Sequence, residues 1–253
     1  MGANLTGAHL AGIDAGDSVW DGADLTRADL TRARLQRASL VGATLRQATL
    51  SGADLQAARL DSAMAESALF VGASLKAVRA DGARLVKADF TEAQLDEGSF
   101  RGAVLDDAKL YESVATRAVF DEATLEDARF ERAVLEGASL RKVRGKGAVW
   151  ECADLGGAVL VAADVTGAVF AGAALVQADL RGVIARGAVF RQADLTNARL
   201  DGADLMRATF EGACLRGAVL RGASLHQAET WMAVLDGADL AGAIVTRSKL
   251  AAR

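Results

Sequence analysis

Few residues of this chain have side chains suited to catalysis or metal binding, and they lie far apart in the sequence. Two histidines, His9 and His226, could act as general acids or bases. Two cysteines, Cys152 and Cys214, could act as nucleophiles or metal ligands. Many aspartates precede a leucine, as Asp24 does, and paired carboxylates can serve as an acid and a base. Whether any of these groups can meet depends on the fold that positions them.

The element that positions these residues is a repeat of five. At positions 5, 10, 15 and onward to 250, 31 of the 50 residues are Leu, and all eight Phe of the chain fall there. Two residues earlier, 42 of the 50 residues are Ala. On an α-helix this period would spread the leucines around the whole surface, and in a continuous strand it would alternate them between faces. Each pentapeptide is therefore predicted to be a short extended segment with both residues inward, followed by a corner at which 21 of the 26 Gly lie.

A second period of 20 indicates how the pentapeptides stack. Sorted by this period, most aromatic residues of the central position share one face: Phe70, Phe90, Phe130, Trp150, Phe170, Phe190 and Phe210. Phe100 and Phe120 follow each other on a second face. If four pentapeptides form one coil, residues that are 20 apart stack on each other, and aromatic residues stack on aromatic residues. The sequence therefore predicts an all-β, four-sided parallel β-solenoid of about 12 coils of 20 residues, a single domain over residues 1–253 with 50 uninterrupted pentapeptides over 1–250.

Side-chain volumes support the inward assignment. Where Ile13, Val78, Val143 or Val183 replaces the usual Ala, the residue two positions later is unusually small: Ala15, Ala80, Gly145 and Ala185, respectively. Such compensation is expected if the two positions share one closely packed space.

The repeat resembles a known family. The runs GADLTRADLTRARL (22–35) and QADLTNARLDGADL (192–205) are similar to the A(D/N)LXX consensus of pentapeptide-repeat proteins, and the resemblance covers essentially the whole chain. It implies a right-handed four-sided β-helix. Members include fluoroquinolone-resistance proteins that mimic DNA and bind gyrase, domains of secretion-system proteins, and photosynthetic-membrane proteins. Unlike the gyrase-binding members, this chain continues its repeats to Leu250 in place of a helical dimerisation segment, and it is less acidic.

On such a solenoid the candidate chemical groups stay apart. At about 4.8 Å per coil, His9 and His226 would lie roughly 50 Å apart, and Cys152 and Cys214 some 15 Å apart, which excludes a shared site, a disulfide or a common zinc ion. The aspartates before leucine are interpreted as solvated residues of the repeat. We therefore expect no enzymatic activity, no cofactor and no metal.

Composition limits the classes of partner. A net charge of -4 and a pI near 5.3 argue against direct binding to nucleic acid. No apolar run approaches 18 residues and no signal peptide is recognisable, so neither membrane insertion nor secretion is expected and a cytoplasmic protein is predicted.

Charge is unevenly distributed along the chain. Residues 90–139 carry 12 acids and 5 bases, for a charge of -7, so the remainder of the -4 chain carries +3. Such an acidic belt could imitate the phosphates of DNA toward a basic groove, or it could simply aid solubility. Residues 181–222 have the opposite bias, with 7 Arg against 4 acids. The acids considered candidates for the belt are Glu92, Asp96, Asp106, Glu112, Asp121, Glu126, Glu131 and Glu136.

Outward apolar residues give a second candidate surface. Val149, Val169 and Val189 precede aromatic residues of one wall, one coil apart, and Val159, Val161, Val176 and Ile184 could extend them into a patch typical of an interface. Alternatively, β-branched residues simply suit short strands. Thr230 replaces a central Leu and places Trp231 and Met232 outward. The candidate partner surface comprises Val149, Val169, Val189, Ile184, Tyr111, Trp231 and Met232.

The leading functional hypothesis is a non-catalytic protein-binding or structural scaffold rod, such as the repeat domain of a larger bacterial secretion-system component. The alternative is a DNA-mimicking protein that binds gyrase or another topoisomerase and protects or inhibits it. A protein partner is expected in either case. Because no capping helix is visible, the chain is expected either to belong to a longer protein or to self-associate, end to end or through the Val149, Val169 and Val189 wall.

Overall fold

The chain forms a β-helix solenoid whose β structure consists of single bridge residues. The computed structural model describes residues 2–248, and within them there is neither an α-helix nor a strand longer than one residue. Each pentapeptide has two turn residues, then a bridge residue between two inward residues. Every bridge is parallel and joins residue i to residue i+20, from Asn4–Asp24 to Ser224–Ile244. The 20-residue stacking period predicted from the aromatic residues is therefore confirmed.

The core contains the two residue positions predicted to point inward. The Ala and Leu positions are buried from Ala23 to Ala228, most of them completely. Toward each end of the described chain, the corresponding residues, such as Leu5 and Leu240, are only partly buried against this core. The prediction for Leu250 lies outside the described residues.

Backbone hydrogen bonds join each coil to its neighbours. The Leu25 N–H donates to the Thr44 carbonyl at 2.7 Å, and the Asp24 N–H donates to the Ala3 carbonyl at 2.9 Å. A third bond closes each turn, as from the Ala28 N–H to the Leu25 carbonyl at 2.9 Å. This pattern recurs along the described chain, so the interior is lined with backbone groups that have hydrogen-bond partners.

Each corner contains one residue in the left-handed conformation. From residue 7 to residue 247, the second turn residue of every pentapeptide has a positive φ near 60°, at 21 glycines and 28 other residues. The corner position predicted from glycine is thus confirmed. None of the 28 others is β-branched or aromatic, because such side chains clash with the backbone in this conformation.

The aspartates before leucine have a structural role that was not predicted from the sequence. The Asp24 carboxylate accepts a hydrogen bond from the Thr26 N–H at 3.0 Å, closing the start of the next corner. The same bond, from the N–H two residues later, recurs at Asn4, Asp29, Asp54, Asp89, Asp154, Asp164, Asp179, Asp194, Asp204 and Asp239. These side chains therefore help to terminate the extended segments in which they occur.

Asp164 allows this role to be tested. Burial acts to raise its pKa, but hydrogen bonds from the Thr166 hydroxyl and N–H, together with Lys146, hold the pKa below its usual value. The ionised carboxylate therefore stabilises the fold above the unfolded pKa of about 4, and this contribution is lost as the pH falls through the lower folded pKa.

We expect Asp164→Ala to lower the free energy of unfolding by about 1 kcal/mol at neutral pH. Asp164→Asn keeps an oxygen acceptor and should cost less. Urea unfolding at several pH values measures both, and the difference between wild type and Asp164→Asn should shrink in acid. Equal losses for Ala and Asn would show that the hydrogen bond to the corner contributes nothing.

The eight Phe residues and Trp150 form one continuous chain of contacts through the core. Within the predicted column, Phe70 stacks on Phe90 with ring centroids 4.8 Å apart. The column is interrupted at Leu110, and there Phe100 and Phe120 of the neighbouring column provide the connection. Edge-on contacts at 6.4 and 6.2 Å join this pair to Phe90 and Phe130. Further stacking then continues through Trp150, Phe170, Phe190 and Phe210.

Candidate interaction surfaces

Three of the candidate apolar residues are direct neighbours. Val149 is bridged to Val169, and Val169 to Val189, so they occupy consecutive coils of one column of bridge residues. All three are half-buried. Arg129 precedes them in this column and Thr209 follows them. We call this whole column of bridge residues, including Arg129 and Thr209, the valine column.

Two corners flank the valine column. The leading corner precedes it in each coil and comprises residues 106–107, 126–127, 146–147, 166–167, 186–187, 206–207 and 226–227. The trailing corner follows it and comprises residues 111–112, 131–132, 151–152, 171–172, 191–192, 211–212 and 231–232. Tyr111, Trp231 and Met232 therefore lie beside the valine column, a proximity that was not predicted from the sequence. We call the column and its trailing corner the valine edge.

The most exposed apolar residues of the valine edge are at its C-terminal end. Trp231 is 56% exposed and Met232 is 66% exposed. They line a shallow groove with Arg191 and Glu211, whose side chains form an ion pair at 3.2 Å. An exposed Trp beside a groove is the kind of residue that dominates the affinity of protein interfaces.

Tyr111 at the other end is held in place by Arg129. The Arg129 guanidinium lies 5.2 Å from the centre of the Tyr111 ring and donates to the Tyr111 hydroxyl at 3.2 Å. It also forms an ion pair with Glu131 at 2.5 Å. This pairing raises the pKa of Arg129 above its usual value.

The wider apolar patch expected around the valines does not form. Ile184 is bridged to Asp164 and Asp204, and Val159 to Ser139 and Asp179, so both belong to other columns. Val161 and Val176 are turn residues of two further corners. Because neighbouring columns are separated by corners, these residues do not extend the valine column, although Ile184 itself is 40% exposed.

The acidic belt surrounds the solenoid and does not form one wall. Its candidate residues occupy all four corners of the coils, with Glu92, Glu112 and Glu131 on the trailing corner and Asp106 and Glu126 on the leading corner. Asp96 and Glu136 share a third corner, and Asp121 lies on the fourth. Glu131 is only 5% exposed, so the prediction that it belongs to an exposed belt is wrong. Its side chain lies flat on the solenoid, where it forms an ion pair with Arg129.

The densest group of acids is on the leading corner. Asp106, Asp107, Glu126 and Asp127 occupy two consecutive coils there, and none of them forms an ion pair with another residue of 2–248. Asp106 accepts a hydrogen bond from the Glu126 N–H at 3.0 Å. Most of the arginines in 181–222, by contrast, have an acidic neighbour, as in the pair Arg186–Asp204 at 2.5 Å.

The residues suited to chemistry remain apart in the structure. His9 is a bridge residue of the valine column, whereas His226 lies on the leading corner, 217 residues later in the chain. Cys152 and Cys214 are free thiols on different parts of the coil. Residues 2–248 contain no group of three His, Cys, Asp or Glu side chains arranged to hold a metal ion. In the same residues, no helix suited to crossing a lipid bilayer occurs.

Comparison with known proteins agrees with the repeat geometry. Residues 3–144, 151–184 and 186–251 match the family model described as pentapeptide repeats (8 copies). The chain belongs to the pentapeptide-repeat family. No curated protein matches this pentapeptide-repeat chain.

Solved structures of pentapeptide-repeat proteins are also similar to it. One is HetL of the cyanobacterium Nostoc sp. strain PCC 7120, involved in heterocyst differentiation regulation, with 26% identity over 97% of this chain and 89% of HetL, at a TM-score of 0.25. Another is QnrB1, a plasmid-mediated fluoroquinolone resistance protein, with 18% identity over 92% of this chain and 91% of QnrB1, at a TM-score of 0.32. A third comes from the Arabidopsis thaliana thylakoid lumen, with 23% identity over 49% of this chain and 69% of that protein, at a TM-score of 0.28.

Proposed function

We propose that this pentapeptide-repeat chain is a non-catalytic protein-binding or scaffold rod and that the valine edge is its partner surface. The observation that carries the proposal is the exposure of Trp231 and Met232 on the trailing corner, two coils beyond Val189 of the valine column. Trp and Met are enriched in protein–protein interfaces relative to the rest of the protein surface. Tyr111, held by Arg129, provides a second aromatic contact on the same edge.

We propose the following architecture for this rod. It is a right-handed four-sided solenoid of about 12 coils, forming one domain over residues 1–253. The 20-residue bridge spacing with a turn in every pentapeptide supports four sides and this number of coils. The right hand is the form that family resemblance implies. A cytoplasmic location is also proposed, because the sequence contains only two cysteines and secreted proteins are commonly richer in them.

The experiment that tests the partner surface is affinity measurement with the whole chain as bait. We expect Trp231→Ala to raise the dissociation constant of a bound protein at least about ten-fold, the effect of truncating a tryptophan that anchors an interface. Val19→Ala is the matched control, because Val19 is 76% exposed but belongs to another column. A partner that binds the wild type, Trp231→Ala and Val19→Ala equally would show that the valine edge is not its surface.

The second candidate function is mimicry of DNA toward gyrase or another topoisomerase. The unpaired acids Asp106, Asp107, Glu126 and Asp127 favour it, since a rigid array of carboxylates could occupy a basic groove. We would measure supercoiling by gyrase, and relief of quinolone-poisoned gyrase, with the wild type and with these four acids changed to Lys. Inhibition that the Lys variant loses would support mimicry, and no effect of the wild type would exclude gyrase as the target.

A further inference from the structure

We propose that the valine edge and its leading corner bind a second copy of this chain in an antiparallel dimer with its two-fold axis at Val169. The inference rests on the proposed function and names the partner of the same surface. Val149, Val169 and Val189 are half-buried neighbours in one column. A two-fold axis at Val169 places Val169 against its own copy and Val149 against Val189 of the second copy. An axis one coil away would leave a valine facing a charged or polar residue.

The symmetry decides which other residues meet. A two-fold axis perpendicular to the solenoid and in the plane of contact reverses the order of the coils but keeps each corner against the same corner of the second copy. On the trailing corner, residues whose numbers are symmetric about 171 therefore face each other. Tyr111 faces Trp231 of the second copy, and Glu151 faces Arg191 of the second copy. The two aromatic residues of the valine edge thus come together at both ends of the contact.

The leading corner shows the same complementarity. The exposed carboxylate of Asp127 faces the exposed guanidinium of Arg207 of the second copy, and neither residue forms an ion pair with another residue of 2–248. Asp106 faces His226 of the second copy. The parts of the two biased segments that this symmetry brings together are residues 116–139 of one copy, with 6 acids and 3 bases, and residues 199–222 of the other, with 4 Arg and 3 acids. Complementary charge of this kind fixes the register of an interface.

Two opposed pairs have like charges, and both are neutralised within their own chain. Lys146 faces Arg186 of the second copy, but Lys146 is paired with Asp164 at 3.4 Å and Arg186 with Asp204 at 2.5 Å. Glu131 likewise faces Glu211 of the second copy. Arg129 and Arg191 neutralise these two carboxylates, at 2.5 and 3.2 Å. These pairs therefore add little repulsion to the contact.

The dimensions of the contact predict a weak dimer. It extends over the seven coils from Tyr111 to Trp231, which is about 30 Å at 4.8 Å per coil, and it is one side of the solenoid wide. This is near the lower end of specific protein interfaces. The facing charges lie at the exposed rim. We therefore expect association to depend on protein concentration and to weaken at high salt.

Sedimentation equilibrium of the whole chain tests the dimer. Val169→Asp places two carboxylates together at the two-fold axis, and the dimer dissociation constant should rise at least about a hundred-fold. The fold should tolerate this change, because Asp164 and Asp179 occupy equivalent bridge positions in other columns. Val159→Asp is the matched control and should leave the dimer unchanged. A wild type that stays monomeric up to millimolar concentration, or a dimer unaffected by Val169→Asp, would overturn the proposal.

Cysteine cross-linking tests the register. In a chain with Cys152→Ser and Cys214→Ser, Val169→Cys should form a disulfide-linked dimer on mild oxidation, because the residue faces its own copy. Val149→Cys alone should not cross-link, whereas Val149→Cys together with Val189→Cys should. Efficient cross-linking of Val149→Cys alone would mean a parallel or shifted arrangement and would contradict the proposed axis.

A charge exchange separates this inference from the proposed function. Arg207→Asp should weaken the dimer by facing Asp127 with a like charge, and adding Asp127→Arg should restore it. If the chain is monomeric but Trp231→Ala still weakens binding of another protein, the dimer fails and the proposed function stands. If the dimer forms as described and no other partner depends on Trp231, the partner surface serves self-association alone.

Discussion

Replacing Trp150 by Ala is expected to lower the free energy of unfolding by about 3–5 kcal/mol, the range for removing a large aromatic side chain from a packed core. Trp150 is completely buried and stacks between Phe130 at 4.0 Å and Phe170 at 5.9 Å. Removing the indole would open a cavity in the middle of the aromatic chain. Because each coil contacts only its neighbours, rearrangement elsewhere cannot readily fill it.

The conservative replacement Trp150→Phe should cost much less. The indole N–H of Trp150 is buried without a hydrogen-bond partner among the described residues, so Phe keeps a stacked ring and removes an unsatisfied donor. Urea unfolding followed by circular dichroism measures both variants. A loss for Trp150→Phe as large as for Trp150→Ala would mean that the indole N–H has a partner that stabilises it, and that ring stacking is not what the fold requires here.

Gly98→Ala is expected to destabilise the protein by about 1–3 kcal/mol, the usual cost of overpacking a core. Gly98 occupies an inward position at which most of the other coils have Ala. An added Cβ would lie 2.9 Å from the Leu95 carbonyl oxygen, 3.0 Å from a ring carbon of Phe100 and 3.3 Å from a methyl carbon of Val78. The Leu95 carbonyl and the Phe100 ring give the two closest contacts, and Val78, one coil away and larger than the usual Ala, gives the third.

Gly145→Ala is the matched control for Gly98→Ala. At Gly145 an added Cβ would meet nothing closer than 3.8 Å, an ordinary van der Waals contact. This substitution should be neutral or should stabilise by up to about 1 kcal/mol, because it restricts the unfolded chain. Gly98→Ala should also cost less when Val78→Ala is present, since the two residues share one space. Equal effects of the two Gly→Ala changes in thermal or urea unfolding would contradict this account of the core.

The core could be predicted from the sequence because burial depends on position within the repeat. Small Ala and larger Leu alternate with polar residues at fixed spacing, and the structure buries both positions from Ala23 to Ala228. Stacking of Phe70 on Phe90 followed from the 20-residue period. The edge-on contact of Phe90 with Phe100 did not, because it depends on the distance across the interior between columns, about which the period gives no information.

The surface was predicted less well because outward contacts are local. A signal for the turn role of Asp24 was present, since Asp or Asn two residues before a turn residue can accept its N–H. The 20-residue period also places Val159 and Val149 in different columns, so their separation is encoded in the spacing of the outward valines. The burial of Glu131 had no such signal, because it results from the particular conformation in which Arg129 pairs with it.

The uniform bridge spacing has a consequence for how the chain reaches its fold. Bridged residues are 20 apart in a chain of 253, which corresponds to a relative contact order of about 0.08. This value is typical of small helical bundles and well below that of most all-β proteins, which fold slowly because distant segments must first meet. Here each newly made coil needs only the coil before it. Folding can therefore advance from the N-terminus at the pace of synthesis, with the ribosome adding one coil at a time to a template that is already ordered.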